Sequence, residues 1–184
     1  MTAHHETPAQ PWDDPATGPV PEGLAAAKSL VFDPCGFDCP LPVAEEESAD
    51  YEAYALCVNG RSVRFRAART TPTKVGQFVT VWQRSEEGPI RPFDTGDGVD
   101  LFVIDSRDGA DHGQFVFPWS VLRARDVVSR DGVGGKRGFR VYPPWAVPTS
   151  RQAERTRAWQ LEHFLALPGD GSVDLDRARA LYHA

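Results

Sequence analysis

The dipeptide Asn59-Gly60 constrains this chain more than any other pair of residues. Both residue types tolerate positive φ, as the tight two-residue turn that matches strand twist requires, and runs of strand formers flank them at Tyr54 to Val58 and Ser62 to Ala68. The folded body is therefore predicted to open with an antiparallel hairpin. Along its second strand the side chains alternate, placing Val63, Phe65 and Ala67 on one face and Arg64 and Arg66 on the other.

The same reasoning predicts strands at 77–83, after a turn at Pro72, and at 99–105, 114–117 and 138–142. The continuous apolar run Leu101-Phe102-Val103-Ile104 calls for a strand buried on both faces. Pro118 suits a first helical position and predicts a short helix to about Arg125. A longer helix is expected over 150–167, with Thr149 and Gln152 spaced as a capping box and Pro168-Gly169 as its stop; short helices are expected over 22–30 and within 172–183. Strands first and the main helix last give an α/β domain of α+β character, with a central mixed, mostly antiparallel sheet and flanking helices.

At 184 residues the chain is expected to form one folded domain. Residues 1–21 carry five prolines and almost no aliphatic side chains, so they read as a disordered acidic leader. Residues 22–50 read as a short helix and an acidic loop, 51–167 as the α/β body and 168–184 as an extension with a short helix. The net charge of −6 hides an asymmetry, because residues 1–52 hold eleven acids against one base and the remainder is mildly basic. No apolar run is long enough to span a bilayer and no signal-peptide pattern opens the chain, so a cytoplasmic location without membrane association is expected. Cys35, Cys39 and Cys57 match neither a disulfide framework nor a zinc ligand set, and no metal or cofactor is expected. Oligomeric state is not encoded in any pattern found.

Chemistry concentrates in basic segments. Between Arg61 and Arg84 there are six basic residues and no acid. Arg64, Arg66 and Arg69 offer guanidinium forks that match phosphate oxygens, and Lys74 follows a threonine-rich turn able to form a small anion nest. The plainer readings are a solvated strand face and a lysine ending a loop. Lys136, Arg137 and Arg140 form a second cluster among glycines, with Tyr142 and Trp145 as stacking faces, unless Tyr142 to Trp145 merely wedge a helix against the sheet. On the long helix Arg151, Arg155, Trp159 and His163 recur every four residues, although Trp159 also suits a core position. Gly76-Gln77-Phe78-Val79 recurs as Gly113-Gln114-Phe115-Val116, read as two strands that each start at a glycine where backbones approach closely.

Taken together, Phe65 to Thr80, Gly88-Pro89-Ile90, Gly113 to Pro118, Gly135 to Trp145 and Trp159-Gln160 resemble the MepB-like family of small bacterial proteins, over about residues 52–165. The resemblance implies a fold similar to that of restriction endonucleases, and nucleic acid as partner. Nucleases of that fold carry carboxylates and a lysine on adjoining strands to hold Mg²⁺. Here Val63 to Arg69 contains no acid, so the expectation is sequence-nonspecific binding of DNA or RNA backbone without catalytic residues. The alternatives are a divergent Mg²⁺-dependent nuclease using Glu52, Asp100 or Asp105 with Lys74, and a protein-interaction module.

Overall fold

The structure, a computed structural model, describes Trp12 and residues 18–183. A helical segment comes first: α1 (Glu22–Ala27), one π-helical stretch (Lys28–Phe32) and α2 (Asp33–Cys35), stopped by Gly36 at φ 70°. After β1 (Val43–Ala44) the expected hairpin forms from β2 (Tyr54–Val58) and β3 (Arg61–Ala67), with Asn59 at φ 49° and Gly60 at φ 77°. Then follow β4 (Arg69–Thr71), β5 (Lys74–Thr80), β6 (Trp82–Arg84) and β7 (Ile90–Pro92).

The apolar run becomes β8 (Leu101–Asp108), paired with β9 (Asp111–Pro118). Pro118 caps α3 (Trp119–Ala124), and β10 (Gly138–Val141), α4 (Arg151–Leu161), β11 (Phe164–Ala166) and α5 (Leu175–His183) complete the chain. A six-stranded sheet has the order β1-β2-β3-β8-β9-β11, antiparallel throughout except for the parallel pair β3–β8. The crossover between β3 and β8 contributes β4 and β5, which with β10 form a second, three-stranded antiparallel sheet. The result is a mixed α+β fold.

Apolar side chains leave the large sheet on both sides. Val63, Phe65, Leu101 and Val103 meet Leu24, Val31 and Phe32 of the first helix and Leu181 and Tyr182 of α5. Phe102, Ile104, Phe115 and Phe117 meet Val79 and Val141 of the small sheet and Leu122 of α3. The run 101–104 is thus buried on both faces, as its composition requires.

Two expectations need correction. The last long helix ends at Leu161, and Phe164–Ala166 pairs with β9 instead. Adjacent Phe164 and Leu165 are buried in opposite apolar clusters, which a strand achieves and a helix does not. The cap is Ser150, whose Oγ accepts from the Ala153 amide at 3.2 Å, in place of Thr149. The acidic leader is also less separate than expected. Trp12 is buried and donates from Nε1 to the Cys39 carbonyl at 3.0 Å, while the rest of 1–17 lies outside the described residues.

Candidate functional site

Alternation along β3 does place Arg64 and Arg66 on one face, but that face is covered. Arg66 is fully buried, donating from Nη1 and Nη2 to Glu45 at 3.1 and 3.4 Å and from Nη1 to the Phe65 carbonyl. Its guanidinium lies over the rings of Phe93 and Phe102, and burial pulls its pKa below the usual guanidinium value. Arg64 leans on the same carboxylate at 3.6 Å. The acid missing from the local sequence arrives from the loop before the hairpin, so Arg66 cannot meet a phosphate in this fold and Arg64 is partly neutralised.

The remaining basic positions gather on the small sheet. Arg69 of β4 and Arg140 of β10 lie in register on either side of Phe78 of β5. Odd-numbered Val79, Phe139 and Val141 point into the core, so Arg69, Phe78 and Arg140 share the outward face. Arg140 reaches along that face, donating to Thr71 Oγ1 at 2.5 Å and to the Val75 and Gly76 carbonyls at 3.3 and 3.4 Å, beside the turn that carries exposed Lys74. Tyr142 lies over Gly76, where a Cβ would meet its ring at 2.8 Å.

This face runs into a cleft of about 460 Å³ between β10 and α4. Gln160 fixes the helix there. It donates from Nε2 to the Arg140 carbonyl and accepts the Tyr142 amide on Oε1, both at 2.8 Å, and thereby satisfies the open edge of β10. Arg125, Lys136 and Arg140 line the cleft with Tyr142, Thr156 and Trp159, and no carboxylate does. The capped first turn of α4 contributes its partial positive charge. Arg125 stacks over Trp159 at 5.0 Å, and Phe117 packs on the same indole at 5.4 Å. Arg69, Lys74, Arg125, Lys136, Arg137 and Arg140 form no ion pair among the described residues, whereas Arg64, Arg66, Arg84, Arg91 and Arg107 do.

Arg125 and Phe78 were not among the expected site residues, and Trp159 entered only as part of the row Arg151, Arg155, Trp159 and His163 on the long helix. Phe78 is hard to side from sequence, because Gln77-Phe78-Val79 does not alternate in polarity. Trp145 belongs to packing, its ring 5.9 Å from Phe164. The ridge of four on α4 is broken, since His163 falls beyond the helix and sits 5.8 Å from Phe117.

The acids of the nuclease alternative do not form one cluster. Asp105 is buried beneath Gly23 and binds His112 Nε2 at 2.7 Å. Glu52 has a raised pKa, through burial first and the charge of Asp105 second. Asp100 accepts the Ser62 amide at 2.8 Å and stands five residues from Asp105 along the strand, roughly 16 Å away. Among the described residues no group of three or more His, Cys, Asp or Glu side chains is placed to hold a metal ion. No helix among them is long and apolar enough to cross a membrane.

Comparison with known proteins agrees with this architecture. The MepB-like family profile matches residues 45–166, which span β2 to β11 and therefore the small sheet, the cleft and the central strands. A solved structure described as the crystal structure of MepB superposes with a TM-score of 0.67 and 31% sequence identity, covering 70% of this chain and 86% of that one. No functionally curated protein matches. With the profile covering well over half of the sequence, the chain belongs to the MepB-like family.

Proposed function

We propose that this protein binds the sugar-phosphate backbone of nucleic acid, without base sequence preference and without cleaving it, on the outer face of the small sheet and the adjoining cleft. One observation carries the reading. Arg125, Lys136 and Arg140 line the cleft, Arg69 and Lys74 lie on the adjoining sheet and turn, and Arg137 is exposed beside Lys136; none of the six forms an ion pair among the described residues, while most other arginines near the sheets are paired. Unpaired clustered cations are what a polyanion site needs, because each phosphate they neutralise releases counterions. Arg64 and Arg66 are left out of the binding set. The mixed sheet with helices on both faces supports a restriction-endonuclease-like assignment as part of the same proposal, and three free thiols support a cytoplasmic one.

The test is affinity for a labelled oligonucleotide across a salt series. Binding is expected to weaken steeply with salt, to survive chelation of divalent metal, and to leave the oligonucleotide intact when Mg²⁺ or Mn²⁺ is added. Replacing Lys74, Lys136 and Arg137 together by alanine should flatten the salt slope by roughly three units and leave the fold intact, because these side chains are exposed. Absence of binding at low salt, or a flat salt dependence, rejects the proposal. Metal-dependent cleavage lost on Glu52→Ala or Asp105→Ala would put the nuclease reading in its place.

A further inference from the structure

We propose that the outer face of the small sheet is a stacking platform for a single-stranded polynucleotide, an inference that rests on the backbone-binding reading above and narrows it to unpaired bases. Its ground is the position of two aromatic rings. Phe78 and Tyr142 belong to neither apolar cluster, although they are half-buried, Phe78 within the β5–β10 pairing and Tyr142 just past its end. Each lies on a glycine. The Phe78 ring covers Gly138, where no Cβ fits, and the Tyr142 ring covers Gly76. The Phe78 ring also meets the Tyr51 ring edge-on at 6.1 Å, so Tyr51, Phe78 and Tyr142 give this face a partly exposed aromatic surface.

Cations flank these rings in register. Arg69, Phe78 and Arg140 form one cross-strand row, with neighbouring strands roughly 5 Å apart, so a base resting on Phe78 would have a guanidinium to either side of it. Tyr142, just past β10, follows Val141, which pairs with Gln77; this makes it a diagonal neighbour of Phe78 at roughly 7–8 Å. That separation serves two bases of one strand, each on its own ring. Lys74 stands at one end of the row beside Arg140, and Lys136 and Arg137 precede β10 at the other. In a duplex the base faces are hidden in the stack, and aromatic side chains on a sheet find no base face to contact. For a single strand, rings with flanking arginines supply base stacking and phosphate pairing together.

Shielding of the two glycines alone would explain the rings without any ligand, and the test separates the two explanations. The full-length protein would be titrated at low salt with labelled oligothymidylate, oligouridylate and a duplex of equal length. Phe78→Leu and Tyr142→Leu keep an apolar cover over the glycines and remove the aromatic face, and Phe78→Trp keeps a ring and adds a fluorescent reporter. The single strands are expected to bind at least about tenfold more tightly than the duplex, and each leucine variant to lose about tenfold of that affinity. Duplex affinity should change less than single-strand affinity in each leucine variant, and the single strands should quench the Phe78→Trp variant more than they quench the five tryptophans of the parent. The two single-stranded arms decide between DNA and RNA as the preferred source. Equal affinity for duplex and single strand, unchanged in the leucine variants and without quenching at position 78, overturns the platform while leaving backbone binding in place. Failure of every oligonucleotide to bind removes the underlying reading itself.

Discussion

Arg66 and Arg69 stand three positions apart in one basic stretch and do opposite things. Arg66 is sealed between Glu45 and two phenyl rings, whereas Arg69 is exposed and donates from Nη1 to the Asp50 carbonyl at 3.5 Å. Removing one partner of a buried ion pair strands the other charge, so Glu45→Ala is predicted to destabilise the protein by about 3–5 kcal/mol in urea unfolding. Adding Arg66→Met should recover most of that loss. Lys136→Ala should move stability by less than about 0.5 kcal/mol. The alternation of β3 was readable from sequence; the identity of its covered face was not, because the deciding acid lies 21 residues upstream. Asp94 supplies a pH signature of a different kind. Amides of Gly132 and Gly96 and the Ser129 hydroxyl pull its carboxyl down to about 2, from an ordinary 3.8. A carboxyl depressed in the folded state contributes stability fully above its unfolded pKa, and that contribution is lost as pH falls from near 4 through 2. In acid titrations of unfolding stability, Asp94→Asn should lessen the decline over that window.

The recurring Gly-Gln-Phe-Val tetrapeptide shows how far local pattern carries an element. Both glycines do mark close approaches, Gly76 beneath Tyr142 and Gly113 beneath Phe164 of β11. Both glutamines are buried and bonded: Gln77 donates to the Arg107 carbonyl at 2.9 Å and accepts from Ser106, and Gln114 accepts from the Tyr182 hydroxyl. What the pattern does not reveal is what lands on Gly113. Leu161, Phe164 and Leu165 fit a helical stripe as well as they fit a turn and a strand, and only the vacancy above Gly113 decides in favour of β11. Gly113→Ala is accordingly predicted to destabilise by about 1–3 kcal/mol. Hydrogen exchange should locate the damage. The Phe164 to Ala166 amides, paired only along this edge of the sheet, should lose protection while those of β8 keep theirs.

By charge alone, the acidic leader would compete with nucleic acid for the basic body, and its removal would tighten binding. Packing changes that expectation. Leu24, Val31 and Phe32 cover one side of the central sheet together with α5, and Glu45 neutralises Arg66, so deleting residues 1–50 opens the core and leaves a buried charge unpaired. The truncated chain is predicted to lose cooperative unfolding, which circular dichroism during a thermal scan would register. The electrostatic idea survives in a narrower form. The loop after β1 runs beside the small sheet, with Ser48 Oγ accepting from Thr80 at 2.8 Å and the Asp50 carbonyl accepting from Arg69, while the Glu46 and Asp50 side chains are exposed. Glu46→Gln with Asp50→Asn removes two negative charges near the platform without touching a bond that holds the fold. Oligonucleotide affinity should rise at low salt and the gain should fade as the Debye length shrinks below about 10 Å. The thermal midpoint should stay put. A cooperative, tighter-binding truncation would instead show that the leader is a detachable mask, and an unchanged affinity in the double variant would show that the loop's charge has no part in binding.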